Sequence, residues 1–221
     1  MNPYISRLRA FVSRSKIVLS ALLAVCVLMG SASAIDADHA SELRRHTDNT
    51  NRLAKMHPYM RPKVGAIISD MEGHGYRPLI DFQVWRSPAQ QAALKRQGKS
   101  RVSYSFHTVS GKDAKGKATP ESLAADITDN RWGWNSGTPY WLTLARAAES
   151  HNLSTGIRWG LPSSDRQKIS GAIQARDFLA RVRLGWDPAH VEPNGKTITL
   201  SQARAGKRPY DRPPSALPVR P

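Results

Sequence analysis

The nine residues Gly185–Pro193 read GWDPAHVEP, and they place one carboxylate three positions before His190 and another two positions after it. An aspartate followed by proline is an ordinary start of a turn, and we expect a short turn here that leads into a strand. Two carboxylates around one imidazole also fit a metal ligand with a general base beside it. The rest of the chain has to decide between these two interpretations.

Two of the seven histidines lie in distinctive settings. His107 lies in SYSFHTV and His190 in WDPAHVEP. Asp126 lies between them in ESLAADITD, after small and apolar residues, where a carboxylate is costly unless it is paired or bound to a metal. The helical zinc-peptidase motif HEXXH is absent. Five other histidines have no such context and are interpreted as surface or packing residues: His39, His46, His57, His74 and His151.

Taken in order, these pieces resemble the zinc-dependent D-Ala-D-Ala carboxypeptidase and L-Ala-D-Glu endopeptidase family, which includes VanY-type carboxypeptidases and phage endolysins. The family pattern is SxHxxGxAxD, followed much later by WG and then by [DE]xxHxE. An upstream segment, WRSPAQQAALKRQGKS, is similar to the family's R[ST]xxQQxxL. The resemblance covers about residues 80–193. The matching residues are Arg86, Ser105-Phe106-His107, Ser122–Asp126, Trp159-Gly160 and Asp187–Glu192.

One spacing departs from the family pattern. The family places its aspartate seven positions after the first histidine, whereas Asp126 follows His107 by nineteen, and a serine stands where the family has glycine. The extra residues, 108–121, are polar and rich in Gly and Lys, which is typical of a surface loop. Such an insert need not move ligands that are anchored in a sheet. Asp113 and Asp129 are the alternative ligands.

The resemblance implies that His107, Asp126 and His190 hold a zinc ion, with a fourth position open for water. Zinc lowers the pKa of that water from about 15.7 to near 7, which supplies hydroxide at neutral pH. Asp187 is then the expected general base, and Arg86 is expected to stabilise the oxyanion on the scissile carbonyl. Three further residues are expected to orient the ligands or to contact substrate: Ser105, Glu192 and Trp159.

Each of these residues has a plainer interpretation when it is taken alone. His107 fits a polar loop or a hydrogen-bonded core position, Arg86 fits a solvated charge before a helix, and Trp159 fits the core. Their joint occurrence in the family order favours a zinc site over these separate interpretations.

Periodic apolar residues and capping signals predict a mixture of helices and strands. Ser87, Pro88 and Gln90 form a capping box with proline at the first helical position, and Thr138 is predicted to cap another helix. Because the elements alternate irregularly, we predict an α+β fold with a small, mostly antiparallel sheet, helices on one side and the zinc site at the sheet. The predicted helices cover residues 62–75, 87–98, 138–152 and 172–185, and the predicted strands cover 78–85 and 154–160.

The first 34 residues have the order of a secretory signal peptide. Basic residues at positions 7–16 precede the apolar run Ile17–Met29, and small residues end at Ala34. The run is shorter than the roughly 20 residues that span a bilayer. We therefore expect cleavage after Ala34 and export to the periplasm, the cell wall or the extracellular space. Cys26, the single cysteine of the chain, lies in this leader, which excludes disulfides and thiolate chemistry from the mature chain.

The residues after the leader are enough for one catalytic domain. We predict an N-terminal arm over residues 35–59, a zinc peptidase domain over 60–203, and a disordered, basic, Pro-rich tail over 204–221. The chain carries a net charge of +16, of which four positive charges lie in the leader. Such charge favours an anionic cell-wall surface as a partner. Export and the absence of a compact motif argue against nucleic acid, and we expect a monomer.

The predicted function is an exported zinc metallopeptidase that cleaves peptidoglycan stem peptides, as a D-Ala-D-Ala carboxypeptidase or an L-Ala-D-Glu endopeptidase. The alternative is a non-catalytic cell-wall-binding protein on a peptidase-like scaffold. The insert at 108–121 and the missing glycine motivate this alternative.

Overall fold

The computed structural model of the chain describes residues 38–209, and these belong to two units that divide between Thr47 and Asp48. In the first unit the described residues, 38–47, are helical. The second unit contains the sheets and all the residues predicted to form the site. The predicted signal peptide, residues 1–34, lies outside the described residues. No helix within residues 38–209 has the length and apolar character that crossing a membrane requires.

Residues 48–209 form helices and short strands, with one 3-10 turn at Phe106–Thr108. The helices are α1 (residues 48–53), α2 (Met60–Gly73), α3 (Pro88–Arg96), α4 (Thr138–Ser150), α5 (Ser163–Ala175) and α6 (Leu200–Arg204). The strands are β1 (Pro78–Ile80), β2 (Ser110–Lys112), β3 (Ala118–Pro120), β4 (Ala125–Asp129), β5 (Leu153–Gly156) and β6 (Asp187–Pro193).

Four of the strands form one sheet in the order β1-β4-β6-β5, and all three pairings are antiparallel. Strand β6, which carries the motif around His190, lies between β4 and β5. Strands β2 and β3 form a separate antiparallel hairpin. The described chain is therefore an α+β protein with a small antiparallel sheet, which confirms the predicted class.

Apolar and polar side chains alternate along β4 and β6, so the two faces of the sheet differ in polarity. Asp126 is the cross-strand partner of His190, and Ala125 is the partner of Val191. Ala125, Ile127 and Val191 are fully buried in a hydrophobic core that also takes residues from α2, α4 and α5. Because successive side chains of a strand point to opposite faces, Asp126 and His190 lie on the other face. The sheet thus separates the apolar core from the polar group.

Helix α3 begins as its capping signals predict. Ser87 Oγ accepts a hydrogen bond from the Gln90 amide at 3.2 Å, and Gln90 Oε1 accepts one from the Ser87 amide at 2.8 Å. Pro88 occupies the first turn, where its missing N–H costs nothing. This capping box fixes the chain direction at the residue that follows Arg86.

Several predicted elements are shorter or start differently in the structure. The strand predicted over residues 154–160 corresponds to β5, which ends at Gly156. The strand predicted over residues 78–85 ends at Ile80, because Asp81 accepts a hydrogen bond from the Gln83 amide at 2.8 Å and turns the chain out of the sheet. Thr138 is not a cap: it is the first residue of α4, and Gly137 precedes it without a side-chain cap.

The helix predicted over residues 172–185 is wrong over most of its length. Helix α5 begins earlier and ends at Ala175, and Arg176 adopts a left-handed conformation with φ 57°. Beyond it the chain is not helical, and burial alternates with a period of two. That period belongs to extended chain. Four partly buried residues of this segment pack on the core: Phe178, Ala180, Val182 and Leu184.

The ends of the predicted domain also differ from the prediction. Met56, within the predicted arm of residues 35–59, is fully buried in the core and pairs with Ser122 in an isolated bridge. At the other end, disorder does not hold for residues 204–209: Arg208 Nη2 donates to the Ser110 carbonyl at 2.9 Å. The rest of the predicted tail, residues 210–221, lies outside the described residues.

Candidate metal centre

The three predicted ligands come from three segments that the fold brings together. His107 lies in the 3-10 turn, Asp126 in β4 and His190 in β6. Asp126 and His190 face each other because they are direct cross-strand partners. All three are buried, with exposed fractions of 1%, 5% and 5%.

The facing atoms of this group have the separations that one small cation requires. His190 Nδ1 lies 3.0 Å from Asp126 Oδ1, and His107 Nε2 lies 3.2 Å from His190 Nδ1 and 3.3 Å from Asp126 Oδ1. Ligands at 2.0–2.1 Å in a tetrahedron are about 3.3 Å apart. His107, Asp126 and His190 could therefore hold one metal ion.

The outer nitrogen of each imidazole is held by a hydrogen-bond acceptor. His107 Nδ1 lies 2.8 Å from the Val84 carbonyl, and His190 Nε2 lies 2.9 Å from Glu192 Oε2. A carbonyl and a carboxylate can only accept, so these nitrogens carry the protons. When both imidazoles are neutral, the lone pairs of His107 Nε2 and His190 Nδ1 point at the shared centre. This is the role expected of Glu192, which orients a ligand and fixes its tautomer.

Arg86 holds the third ligand. Its Nη2 lies 2.7 Å from Asp126 Oδ2, which leaves Oδ1 to face the two imidazoles. The Arg86 amide donates to the His107 carbonyl at 3.0 Å, so Arg86 also ties the 3-10 turn to its own segment. The buried Nε of Arg86 has no hydrogen-bond partner within the part of the chain that the structure describes.

The structure separates Asp126 from the two alternative ligands. Asp113 lies in the turn of the β2–β3 hairpin, where it accepts hydrogen bonds from the Lys115 and Lys117 amides at 2.9 Å. Asp129 lies at the end of β4, where both of its carboxylate oxygens accept from Arg131. The insert folds as this hairpin, so its length does not displace Asp126.

The titration of the group follows from burial and from its internal contacts. Burial lowers the pKa of His107. Burial alone would raise the pKa of Asp126, but the two imidazoles hold it well below its usual range. For His190, hydrogen bonds to Asp126 and Glu192 outweigh burial and raise the pKa to about 10. A bound cation must therefore displace a proton from this group.

Asp187 lies in the same cleft with a different electrostatic environment. It is the first residue of β6, next to a register shift between Thr155 and Gly156, and such irregularities re-aim side chains. Burial raises its pKa to about 6, and the negative charge of Asp126 adds to the shift. A carboxylate with a pKa near neutrality is suited to accept a proton.

Two glycines allow the backbone approach that places Asp187. A Cβ on Gly185 would lie 2.6–2.8 Å from the Gly156 and Ile157 carbonyl oxygens and the Trp159 amide nitrogen. A Cβ on Gly156 would overlap the Asp187 carbonyl oxygen. Neither glycine can be identified as a contact point from the sequence, because close approach between distant segments leaves no local signal.

Trp159 and Ser105 lie at the edge of the centre. The Trp159 ring centroid is 5.1 Å from that of His190 and 5.1 Å from that of Trp186. Trp159 therefore forms one side of the centre. Ser105 is the N-cap residue of the 3-10 turn that carries His107. Its hydroxyl lies 3.4 Å from Gln91 Oε1. Ser105 thus supports the turn.

All eight predicted site residues line one cleft of about 620 Å³, within the usual range for small-molecule and peptide sites. Several large exposed apolar residues also line it, together with two unpredicted basic residues. Trp186, beside the motif around His190, fits the cleft or the core from the sequence, and the structure places it in the cleft wall. The other additional lining residues are isolated positions that carry no motif, and they include Phe82, Lys99, Arg101, Val102 and Trp134.

A comparison with known proteins finds no matching protein family, no matching curated protein and no matching solved structure. Membership of the peptidase family therefore stays a proposal, which rests on the motifs in the sequence and on the geometry of the cleft.

Proposed function

We propose that this protein is an exported zinc metallopeptidase that hydrolyses peptide bonds in peptidoglycan stem peptides. The observation that carries the proposal is the buried His107, Asp126 and His190 group, whose facing atoms lie within 3.3 Å of one another. Asp187 and Arg86 line the same cleft. The cleft thus combines a metal-ligand set with a candidate base and a candidate oxyanion donor.

Zinc is the cation that these ligands favour. Two imidazoles and one carboxylate form a three-ligand set that is typical of catalytic zinc, whereas calcium and magnesium prefer oxygen ligands throughout. Zinc at this position would activate a water at neutral pH and polarise the scissile carbonyl.

Asp187 and Arg86 supply the remaining chemistry. With its raised pKa, Asp187 accepts a proton from the attacking water and returns it to the leaving amine. Arg86 keeps Asp126 in place through Nη2, and because Arg86 lines the cleft its guanidinium is the donor nearest to hand for the charge that develops on the carbonyl oxygen. A fixed donor at that point contributes about 2.7–4 kcal/mol.

Two bonds of the stem peptide are candidates for cleavage. A D-Ala-D-Ala carboxypeptidase and an L-Ala-D-Glu endopeptidase would use the same centre. The positive charge of the chain supports an anionic cell-wall surface as the place of action. Mass spectrometry of digested muropeptides distinguishes the two bonds, because one reaction releases D-alanine and the other releases a peptide.

The test compares the zinc-loaded protein with Asp187→Asn on purified murein. We expect Asp187→Asn to bind zinc normally and to release products about 10²–10⁴-fold more slowly, because proton transfer typically contributes that factor. Asp165→Asn is the matched control, since Asp165 lies in the first turn of α5 and does not line the cleft.

Two results would contradict the peptidase. No product from the zinc-loaded protein, together with murein binding that persists in Asp187→Asn, would favour the non-catalytic wall-binding protein. Equal rates for Asp187→Asn and Asp165→Asn would remove Asp187 from the reaction.

A further inference from the structure

A second pocket, which we call the basic pocket, lies beside the cleft. It has a volume of about 440 Å³, and its lining includes Lys95 of α3, Arg101 and Arg204 of α6. No carboxylate lines it. Three hydroxyl groups complete its polar lining, those of Ser103, Tyr104 and Ser201.

Within the described residues, the three cations of the basic pocket have no counter-charge. None of them has an ion pair with a carboxylate of residues 38–209. The Arg101 guanidinium instead lies 5.1 Å from the Trp186 ring centroid, and that of Arg204 lies 5.9 Å from the Tyr104 ring centroid. Aromatic faces attract cations without neutralising them, so the pocket keeps its positive potential.

The hydroxyl donors add hydrogen-bonding capacity to this potential. Burial raises the pKa of Tyr104, so its hydroxyl keeps its proton at neutral pH and can donate. Cations together with hydroxyl donors form charge-assisted hydrogen bonds to oxyanions, which are about twice as strong as those between neutral groups. The lining therefore favours an anionic ligand group over an apolar or cationic one.

The basic pocket adjoins the cleft that holds the metal centre. Arg101, Val102 and Leu200 line both cavities. A ligand that extends from the metal centre along this wall therefore reaches the basic pocket with another of its groups.

We propose that the basic pocket binds a carboxylate of the substrate peptide, at a residue other than those of the scissile bond. This inference rests on the proposed function, because it takes the occupant of the cleft to be an acidic peptide. It narrows the substrate to stem peptides in which this carboxylate, away from the scissile bond, is free rather than amidated.

The test measures peptide binding by the full chain with Asp187→Asn, so that turnover does not interfere. The probes are an acidic stem peptide and the same peptide with its internal carboxylate amidated. We expect amidation to weaken binding about tenfold, the value of one charged hydrogen bond. In Lys95→Gln/Arg204→Gln the two peptides should bind within about twofold of each other.

The matched control is Arg96→Gln/Lys207→Gln. It removes the same charge from neighbouring positions that do not line the basic pocket, and it should keep the tenfold preference. Arg204→Lys, which retains the positive charge, should keep most of it.

Three outcomes would overturn the inference: equal binding of both peptides by the parent chain, an equal loss of preference in both double variants, or displacement by inorganic phosphate without any preference for the acidic peptide. The last outcome would identify a phosphate site. If the preference is present but zinc-loaded protein does not cleave murein, the proposed function fails and the pocket stands.

Discussion

Asp126 and His190 lie opposite each other on neighbouring strands, whereas His107 and Arg86 lie in the segment between Asp81 and the 3-10 turn, outside the four-stranded sheet. The strand half of the centre, which consists of Asp126 and His190, is positioned by the pairing of β4 with β6. A slip of one residue would move its side chains to the other face. The loop half, which consists of His107 and Arg86, has no strand register, and it is positioned by individual hydrogen bonds.

This difference indicates which substitutions in the centre should lower protein stability and which should lower metal affinity. Disturbing the strand half requires a change in the packing of the sheet and costs stability. Disturbing the loop half requires only the loss of a contact to a ligand, such as the ion pair between Arg86 and Asp126. Substitutions in the strand half should therefore affect folding, and those in the loop half should affect metal affinity first.

The largest effect on stability is expected for Gly185→Ala, which breaks the strand half. The added Cβ meets three backbone atoms at 2.6–2.8 Å, and backbone atoms cannot rotate away. We expect a loss of about 3 kcal/mol in the free energy of unfolding, measured by denaturant titration. Gly171→Ala is the control, because its Cβ meets nothing within 4 Å. Equal effects of the two substitutions would contradict the account of the strand half.

A smaller effect is expected for Arg86→Gln, which weakens the loop half. Asp126 Oδ2 loses its partner, and groups that orient a ligand typically contribute 10–100-fold to metal affinity. We expect a loss of about that size in zinc affinity, measured by competition with a chelator, and little change in unfolding. An unchanged affinity, equal to that of the surface control Arg166→Gln, would show that the ion pair does not position the ligand.

A pH series sharpens the comparison within the strand half. The folded pKa of Asp187, about 6, exceeds the ordinary value of about 4. The stability that its proton contributes is present below pH 4 and is lost as pH rises through about 6. In metal-free protein, unfolding should show the parent chain losing stability relative to Asp187→Asn between about pH 4 and pH 6. A constant difference over this range would contradict the raised pKa.

The smallest effect is expected for Ser87→Ala, at the edge of the loop half. It removes the side-chain cap of α3, which typically contributes about 1 kcal/mol. We expect a loss of that size in the free energy of unfolding, with zinc affinity unchanged. A loss of zinc affinity would show that the start of α3, rather than Arg86 itself, positions the loop half.

Local signals predicted the helices of the site better than its strands. The capping box of α3 depends on residues three positions apart, and the structure confirms it. The segment after Ala175 has apolar residues that fit both a helix and a strand, so its period was misread, and tertiary packing selects the extended form. Strand β1 was predicted too long because Asp81 turns the chain away.

In the candidate site, too, features encoded by local motifs were predictable and contacts between distant segments were not. The motifs identified eight of the residues that line the cleft, because each motif keeps its own residues together. Close approach at Gly156 and Gly185, and the meeting of α3 with α6 at the basic pocket, depend on segments far apart in the chain. A single sequence contains no spacing that reports such contacts.

The most direct test of the central claim is the metal content of the purified chain after removal of metal with a chelator, incubation with zinc and dialysis. The account predicts one zinc per chain for the parent protein and for the surface control His151→Ala, and no retained zinc for His190→Ala. An absence of zinc in the parent chain, or equal zinc in His190→Ala, would contradict the metal centre and with it the proposed peptidase.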